Sequence, residues 1–213
     1  MPLVTVKEMM LSAQSGGYAV CAFNVENMEM AQAAIMAAEE LHAPVILQTT
    51  PSTLKYGSTD LYFAIANALA KNTSIPVALH LDHGNSVGLC IKALRCGYTS
   101  VMIDGSHQPF EENITLTKKA VELCQAVDIP VEGELGKVGG KEDDVASDGP
   151  GYTDPDEAAE FVSRTGVFSL AIGIGTSHGV YAGPPILDIE RVSRIAAKVS
   201  VPLVLHGTSG VSD

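Results

Sequence analysis

Short apolar runs alternate with longer amphipathic stretches along the whole chain, and this alternation constrains the fold more than any other feature. The short runs are rich in β-branched residues and predict strands, while the stretches between them carry the apolar period of helices. Because strands and helices alternate, the pattern indicates a parallel sheet. The predicted strands are Ala19–Asn24, Pro44–Thr49, Pro76–Asp82, Ser100–Ser106, Val131–Gly136, Ser169–Gly175 and Pro202–Gly207.

The helical stretches lie between these strands. Asp154 marks the start of one of these helices, and we expect it to cap a helix that has Pro155 at its first position and Glu157 at its third. The predicted helices are Met28–Leu41, Asp60–Lys71, Val87–Cys96, Glu112–Ala126, Asp154–Arg164 and Leu187–Lys198.

Seven such repeats in 213 residues predict an α/β fold, a (β/α)8 TIM barrel. Barrels of this kind usually take about 250 residues, so we expect the eighth βα unit and the C-terminal helices to be missing from the given sequence. A complete seven-stranded open sheet is the alternative. No Gly/Ser-rich or Pro-rich linker divides the chain, which predicts one barrel domain over residues 1–213, incomplete at its C-terminus.

The composition narrows the class of protein. Hydrophobic residues make up 46% of the chain, aromatic residues only 5%, which suits aliphatic strands buried on both faces. The net charge of −12 argues against nucleic acid or an anionic membrane as partner. The cysteines Cys21, Cys90, Cys96 and Cys124 lack paired spacing, and we expect reduced, mostly buried thiols. Without a signal-peptide pattern or a long apolar run, the expected location is cytoplasmic.

Three strand candidates lead to a histidine followed by glycine, namely His83, His178 and His206. The carboxyl ends of the strands of a barrel converge on one face, where active sites lie. Three neutral imidazoles with a fourth position open are typical of catalytic zinc. For each histidine alone, the alternative is a core residue without a ligand.

Carboxylates accompany these histidines. Asp82 precedes His83 and could act as a general acid or base, or merely orient a histidine. Glu132 and Glu134 are two residues apart on one predicted strand, so both side chains should point to the same side. Acidic groups in that place need a cation or hydrogen-bond donors, which favours a polar mouth that contains a metal.

Two kinds of glycine-rich segment complete the pattern. Gly136–Tyr152 reads as a long irregular loop, a candidate mobile lid that carries Glu142, although a solvated charge is the simpler interpretation of that residue. Ser177–Gly179 and His206–Gly210 could cradle a phosphate with backbone amides, or be plain turns. The remaining histidines, at positions 42, 80 and 107, are assigned to structure, with His80 as a possible orienter of Asp82.

Five motifs in order carry a resemblance to a known family: LHLDHG, MIDGSHQPFEENI, VEGELGKVGGKEDD, AIGIGTSHGVY and PLVLHGTSG. From GGYAVCAFNVENME onward, the chain resembles the class II, metal-dependent ketose-bisphosphate aldolases. It is most similar to the tagatose-1,6-bisphosphate branch, with fructose-1,6-bisphosphate aldolase as a near relative. The resemblance implies a carbon–carbon lyase of glycolysis or related carbohydrate metabolism. The family's enzymes reversibly cleave a ketose 1,6-bisphosphate into dihydroxyacetone phosphate and glyceraldehyde 3-phosphate through a zinc-stabilised enediolate.

The resemblance also implies roles for single residues. Asp82 would move the proton of the C4 hydroxyl, and Glu142 the proton at C3 of dihydroxyacetone phosphate. Asn24 and Thr50 match polar positions near the substrate. The implied Zn²⁺ ligands are His83, His178 and His206, with Glu134 as an alternative ligand, and the implied phosphate-loop residues are Gly179, Gly207 and Ser209. The same loop would help to hold a monovalent cation, Na⁺ or K⁺.

The resemblance further implies a homodimer or homotetramer, and the tagatose branch includes enzymes that need an accessory subunit. The sequence does not decide between tagatose and fructose bisphosphate. Two features depart from the family pattern. Family members continue into an eighth strand with an NVAT-like segment, which the given sequence does not include. In the motif HGTSG, Thr208 follows HG where Ala or Gly is commoner in the family. A non-catalytic or truncated subunit is one alternative. A metal hydrolase of the amidohydrolase kind is another, but it normally needs an HxH pair that the first strand, with AFNVEN, lacks.

Overall fold

The structure is a computed structural model that describes residues 2–142, 145–147, 151–181 and 183–211. The chain forms two compact units. The first comprises Met1–Ile103 and Glu122–Val131, the second Asp104–Val121 and Glu132–Asp213. Parallel strands alternate with helices in each, so the predicted α/β class is confirmed.

The first unit contains a parallel sheet in the order β1-β2-β3-β4. Every residue of β2 and β4 is buried, which is the expected state of strands covered on both faces. The sequence pattern did not indicate α1 or α3; α3 is only six residues long and begins with proline. In chain order the elements are α1 (Val6–Gly16), β1 (Ala22–Asn24), α2 (Met28–Glu40), β2 (Val45–Thr49), α3 (Pro51–Tyr56), α4 (Thr59–Lys71), β3 (Val77–Gly84), α5 (Val87–Cys96) and β4 (Ser100–Ile103).

The second unit contains three neighbouring parallel strands and a separate three-stranded sheet. Its elements, with the last four residues of α6 and the first residue of β5 assigned to the first unit, are in chain order α6 (Phe110–Gln125), β5 (Val131–Leu135), β6 (Gly139–Glu142), β7 (Val145–Ser147), α7 (Pro155–Thr165), β8 (Ser169–Ile172), β9 (Ser177–His178), α8 (Ile189–Ala196) and β10 (Leu203–Val204). The neighbouring parallel strands have the order β5-β8-β10. The three-stranded sheet has the order β7-β6-β9.

The segment Gly136–Tyr152 is not wholly irregular, and this part of the prediction is wrong. The strands β6 and β7 pair antiparallel within it, and β6 pairs parallel with β9. Gly140, with φ of 82°, lies so close to the backbone of His178 that a Cβ would be 2.3 Å from its carbonyl oxygen. The glycines that suggested a loop therefore serve strand pairing at close approach.

Several predicted strands were too long at their carboxyl ends. The strand predicted to end at Gly175 ends at Ile172, so His178 lies in the separate strand β9. The last predicted strand shortens to β10, which leaves His206 in the segment that follows. Gly173 directly follows β8, and a Cβ there would lie 2.4 Å from the carbonyl oxygen of Gly151.

The predicted cap of α7 is confirmed. Oδ1 of Asp154 accepts hydrogen bonds from the backbone N–H groups of Asp156, at 2.8 Å, and Glu157, at 3.1 Å. These bonds satisfy two of the donors that a helix start leaves unpaired. Among the described residues, no helix is long and apolar enough to cross a membrane.

All four cysteines are unpaired by disulfides, and only two are buried. Burial raises the pKa of the Cys90 thiol to about 12 and that of Cys124 to about 11. Cys21 is exposed and Cys96 is partly exposed. The expectation of mostly buried thiols therefore holds for half of them.

Candidate functional site

The end of β3 in the first unit places Asp82 and His83 together. In a regular strand two successive side chains point to opposite faces. Here Leu81 pairs with Val101 while Gly84 pairs with Ile103, so β3 carries one extra residue and forms a bulge. Within it His83 has a φ of 45° and its Nε2 lies 3.8 Å from Oδ1 of Asp82. The bulge thus brings an imidazole and a carboxylate to one side.

Met102 of β4 contacts the bulge at two points. The backbone N–H of His83 donates to Sδ of Met102 at 3.4 Å. A Cβ on Gly84 would lie 2.4 Å from the carbonyl oxygen of Met102, so only glycine fits there. The glycine after this histidine is therefore required by the approach of β4.

The carboxylate of Asp82 is almost fully buried, with 1% of the residue exposed, and two amide side chains donate to it. Nδ2 of Asn24 lies 2.9 Å and Nε2 of Gln48 lies 2.8 Å from the same oxygen, Oδ2. Nε2 of Gln48 also donates to Oδ1 of Asn24 at 2.7 Å. The structure thus joins Asn24, a predicted site residue, to Asp82, and adds Gln48, which sequence analysis missed. A polar residue at the end of the apolar run PVILQ was the available signal.

Thr50, predicted near the substrate, directly follows β2 and caps α3. Its Oγ1 accepts from the backbone N–H of Thr53 at 3.4 Å and lies 3.0 Å from Oγ of Ser52. Thr53 in turn donates to Oε1 of Glu26 at 2.6 Å. His80, assigned to structure, is buried with its Nδ1 2.8 Å from Oγ of Ser100.

The second unit brings His178 and His206 together. Their ring centroids are 6.0 Å apart and the rings are inclined by 58°. Nε2 of the buried His206 lies 2.9 Å from Oε1 of Glu132, which is also buried. A neutral His206 that donates this bond from Nε2 keeps the lone pair of Nδ1. This is the arrangement in which a carboxylate orients a histidine toward a metal.

Glu134 lies two residues along β5 from Glu132, and both are buried, as expected for side chains on the same side of a strand. The backbone carbonyl of Glu134 accepts a hydrogen bond from Nδ2 of Asn113 at 2.9 Å. The backbone of Glu142 lies in β6, but its side chain is outside the described part of the structure.

One tyrosine joins the two histidine-bearing segments of the second unit. The hydroxyl of Tyr181 accepts from the backbone N–H of Ser177 and donates to the carbonyl of Gly207, both at 2.8 Å. Gly207 has a φ of 65°, and a Cβ there would lie 2.6 Å from the carbonyl carbon of Ser177. Gly179 has a φ of 77°, and Ser209 is exposed in the same region of sequence as Gly207. The predicted phosphate-loop glycines therefore have conformations that favour glycine.

Comparison with known proteins identifies similar families and structures. The family described as "Fructose-bisphosphate aldolase class-II" matches residues 4–213. The YdjI aldolase from Escherichia coli K12 is 42% identical, with a TM-score of 0.88 over 99% of this chain and 75% of its own. A candidate fructose-1,6-bisphosphate aldolase from Coccidioides immitis is 35% identical, with a TM-score of 0.86 over 94% of this chain and 72% of its own.

A more distant structure has the same fold. The fructose-bisphosphate aldolase Fba from Campylobacter jejuni is 23% identical, with a TM-score of 0.79 over 99% of this chain and 72% of its own. These likenesses confirm the predicted fold class.

Proposed function

Because this chain belongs to the class II fructose-bisphosphate aldolase family, we propose that it is a zinc-dependent aldolase that reversibly cleaves a ketose 1,6-bisphosphate. Members of this family are carbon–carbon lyases, and the family implies a sugar phosphate as substrate. The products would be dihydroxyacetone phosphate and glyceraldehyde 3-phosphate. Tagatose and fructose bisphosphates differ only in configuration at C4, and the sequence motifs favour the tagatose branch.

The proposed metal ligands are His83, His178 and His206, with Glu134 as an alternative. Imidazole nitrogens are suitable ligands for catalytic Zn²⁺, which keeps one position open. The hydrogen bond from His206 to Glu132 supports this role, because it leaves Nδ1 of the histidine for a metal. A bound Zn²⁺ would act as a Lewis acid toward substrate oxygens.

Asp82 is the proposed general base for cleavage. It would accept the proton of the C4 hydroxyl as the C3–C4 bond breaks and return it in the reverse reaction. The observation that carries the proposal is the buried Asp82 carboxylate, held by two amide donors and 3.8 Å from the proposed ligand His83. Buried carboxylates of this kind are typical of functional sites.

Glu142 is the proposed group that moves the proton at C3 of dihydroxyacetone phosphate. Its strand β6 pairs with β9, which carries His178, and this pairing supports a place near the metal ligands of the second unit. Gly179, Gly207 and Ser209 are the proposed phosphate-binding residues, and carbonyls of the same loops would hold Na⁺ or K⁺. Asn24 and Thr50 are proposed to contact the substrate. A homodimer or homotetramer, an accessory subunit and a cytoplasmic location stay predictions.

The first experiment measures zinc content and cleavage of both sugars by the purified chain in a coupled assay. We expect one Zn²⁺ per chain, cleavage of at least one bisphosphate, and loss of cleavage with EDTA. His206→Ala should lose zinc and activity together. His42→Asn, which removes an exposed imidazole in the first unit, is the matched control and should keep both. Turnover by a metal-free protein, or full zinc occupancy in His206→Ala, would contradict the proposal.

A further inference from the structure

We propose that Gln48 is a positioning residue that fixes the carboxylate of Asp82 for proton transfer, an inference that rests on the proposed aldolase function. Gln48 lies in β2, where it pairs in register with Asn24 of β1 and with His80 of β3. It is 8% exposed, although an amide gains nothing from burial unless its polar atoms are bonded. The buried amide of Gln48 therefore needs hydrogen-bond partners, and the carboxylate of Asp82 is one of them.

The three side chains admit one amide arrangement. A carboxylate has no hydrogen to give, so Asn24 and Gln48 must each present nitrogen to Asp82. The second hydrogen on Nε2 of Gln48 then goes to Oδ1 of Asn24 at 2.7 Å. Gln48 thus holds Asp82 directly and also fixes the orientation of the amide that provides the second donor.

This arrangement distinguishes the two oxygens of Asp82. Both amide donors lie on Oδ2, at 2.8 and 2.9 Å, whereas Oδ1 is the oxygen measured at 3.8 Å from Nε2 of His83. Rotation of the carboxylate would break both amide bonds at once. The geometry points to Oδ1 as the oxygen presented on the side of the proposed metal ligand, where a substrate hydroxyl would have to meet it.

The aldolase reaction has two partial reactions, cleavage and C3 proton exchange, that can be measured separately. A substitution that only damages the structure should slow both. Cleavage moves the proton of the C4 hydroxyl to Asp82, breaks the C3–C4 bond and leaves its electron pair on the dihydroxyacetone phosphate half. Exchange of the C3 proton of dihydroxyacetone phosphate with solvent is a separate partial reaction. That compound has no C4 hydroxyl, so the exchange does not use Asp82. Loss of the positioning residue should slow cleavage and spare exchange.

The test compares Gln48→Leu and Gln48→Glu with the wild-type chain and with Thr49→Val. Leucine keeps the volume and removes both donors, while glutamate keeps the shape and sets an oxygen against Asp82. Thr49 is also buried in β2, but it bonds to the hydroxyl of Tyr98 at 2.8 Å. Zinc content and thermal unfolding are measured for every variant, cleavage by kcat and KM, and C3 exchange in D₂O by NMR.

We expect kcat for cleavage by Gln48→Leu to fall about 100-fold, since a small misplacement of a reacting group can cost that much. KM, zinc content and C3 exchange should stay within about threefold, and Gln48→Glu should lose at least as much kcat. Thr49→Val should keep kcat within about twofold. Should Gln48→Leu fail to fold, Gln48→Glu decides alone.

Cleavage by a folded Gln48 variant within about threefold of wild type would overturn the inference, as would equal loss of cleavage and exchange. In those cases cleavage by the wild-type chain still supports the proposed aldolase function, and Asp82→Ala, run beside the Gln48 variants, tests the role of Asp82 by itself. A wild-type chain that cleaves neither sugar and exchanges no C3 proton would overturn the proposed function and this inference together.

Discussion

The two units hold their proposed functional groups in different ways. In the first, Asn24, Gln48 and Asp82 lie on adjoining strands, and three side-chain hydrogen bonds join them directly. In the second, His178 lies in a two-residue strand and His206 follows β10, outside any strand. There, the hydroxyl of Tyr181 bonds to the backbone of both segments, and Glu132 bonds to the ring of His206.

The two kinds of support predict that substitutions in the two regions change different kinetic and binding constants. Side chains on paired strands are placed by the register of the backbone, so they can hold a reacting carboxylate closely. Where a segment has little strand pairing, each side-chain bond contributes more to its placement, and weakening one should change ligand affinity by degrees. We therefore expect substitutions in the first unit's cluster to change kcat, and those in the second unit's segments to change zinc or phosphate binding.

The largest effect should come from Asp82→Ala. It removes the proposed base, so kcat for cleavage should fall by about 10³-fold or more, while the zinc content stays that of wild type. Steady-state kinetics and metal analysis check both parts, with Asp82→Asn as the variant of matched shape. A kcat within about tenfold of wild type would exclude general acid–base work by this residue.

A smaller effect should follow Glu132→Gln. The amide can no longer accept a charge-assisted bond from His206, and the zinc Kd should rise about 10- to 100-fold, measured by competition with a chelator. With zinc in excess, kcat should return close to the wild-type value. Glu111→Gln, at an exposed residue of the same unit that pairs with Arg164, is the control and should leave the zinc Kd unchanged. Unchanged zinc affinity in Glu132→Gln would contradict the proposal that Glu132 orients His206.

Tyr181→Phe tests the hydrogen bonds that connect the segment of His178 with the segment of His206 in the second unit. Loss of the hydroxyl leaves the Ser177 N–H without this acceptor, and one such bond is worth about 1 kcal/mol. A loss of that size in phosphate binding would raise KM for the bisphosphate roughly fivefold. We expect kcat to change less than KM. Tyr152→Phe, whose ring stacks with Arg191 and is kept by the substitution, is the control. A fall in kcat with constant KM would show that the two regions do not divide their roles as proposed.

The smallest effect should be that of Asp154→Ala, outside both clusters. Backbone N–H bonds from Glu157 and Asp156 lower the pKa of the Asp154 carboxyl, so its stabilisation is present above the unfolded pKa and lost as pH falls through the folded one. The Tm deficit, about 2 °C at pH 7, should therefore shrink below about pH 4. Asp154→Asn keeps the cap oxygen without the charge and should show a smaller deficit. A deficit that does not change with pH would contradict the charge argument.

Much of the fold could be predicted because burial leaves a local period in the sequence. The helix Val87–Cys96 was predicted with its observed bounds, and α2 and α4 within one residue at each end. The helices α1 and α3 were missed, and so was the strand at Gly140, because this glycine looked like a loop residue and in fact serves a close strand contact. Carboxyl ends of strands were also overestimated, because an apolar run does not show where pairing stops.

Local sequence was enough to predict the alternation of strands and helices, the three His–Gly pairs and the motifs of the aldolase family. Tertiary structure was needed to show that Asp82 and His83 share one side of β3, since Met102 of the neighbouring strand contacts the bulge. It likewise decided that Gln48 bonds to Asp82, residues 34 positions apart. Local periodicity records which face is buried, whereas contacts between distant residues arise only when the strands that carry them pair.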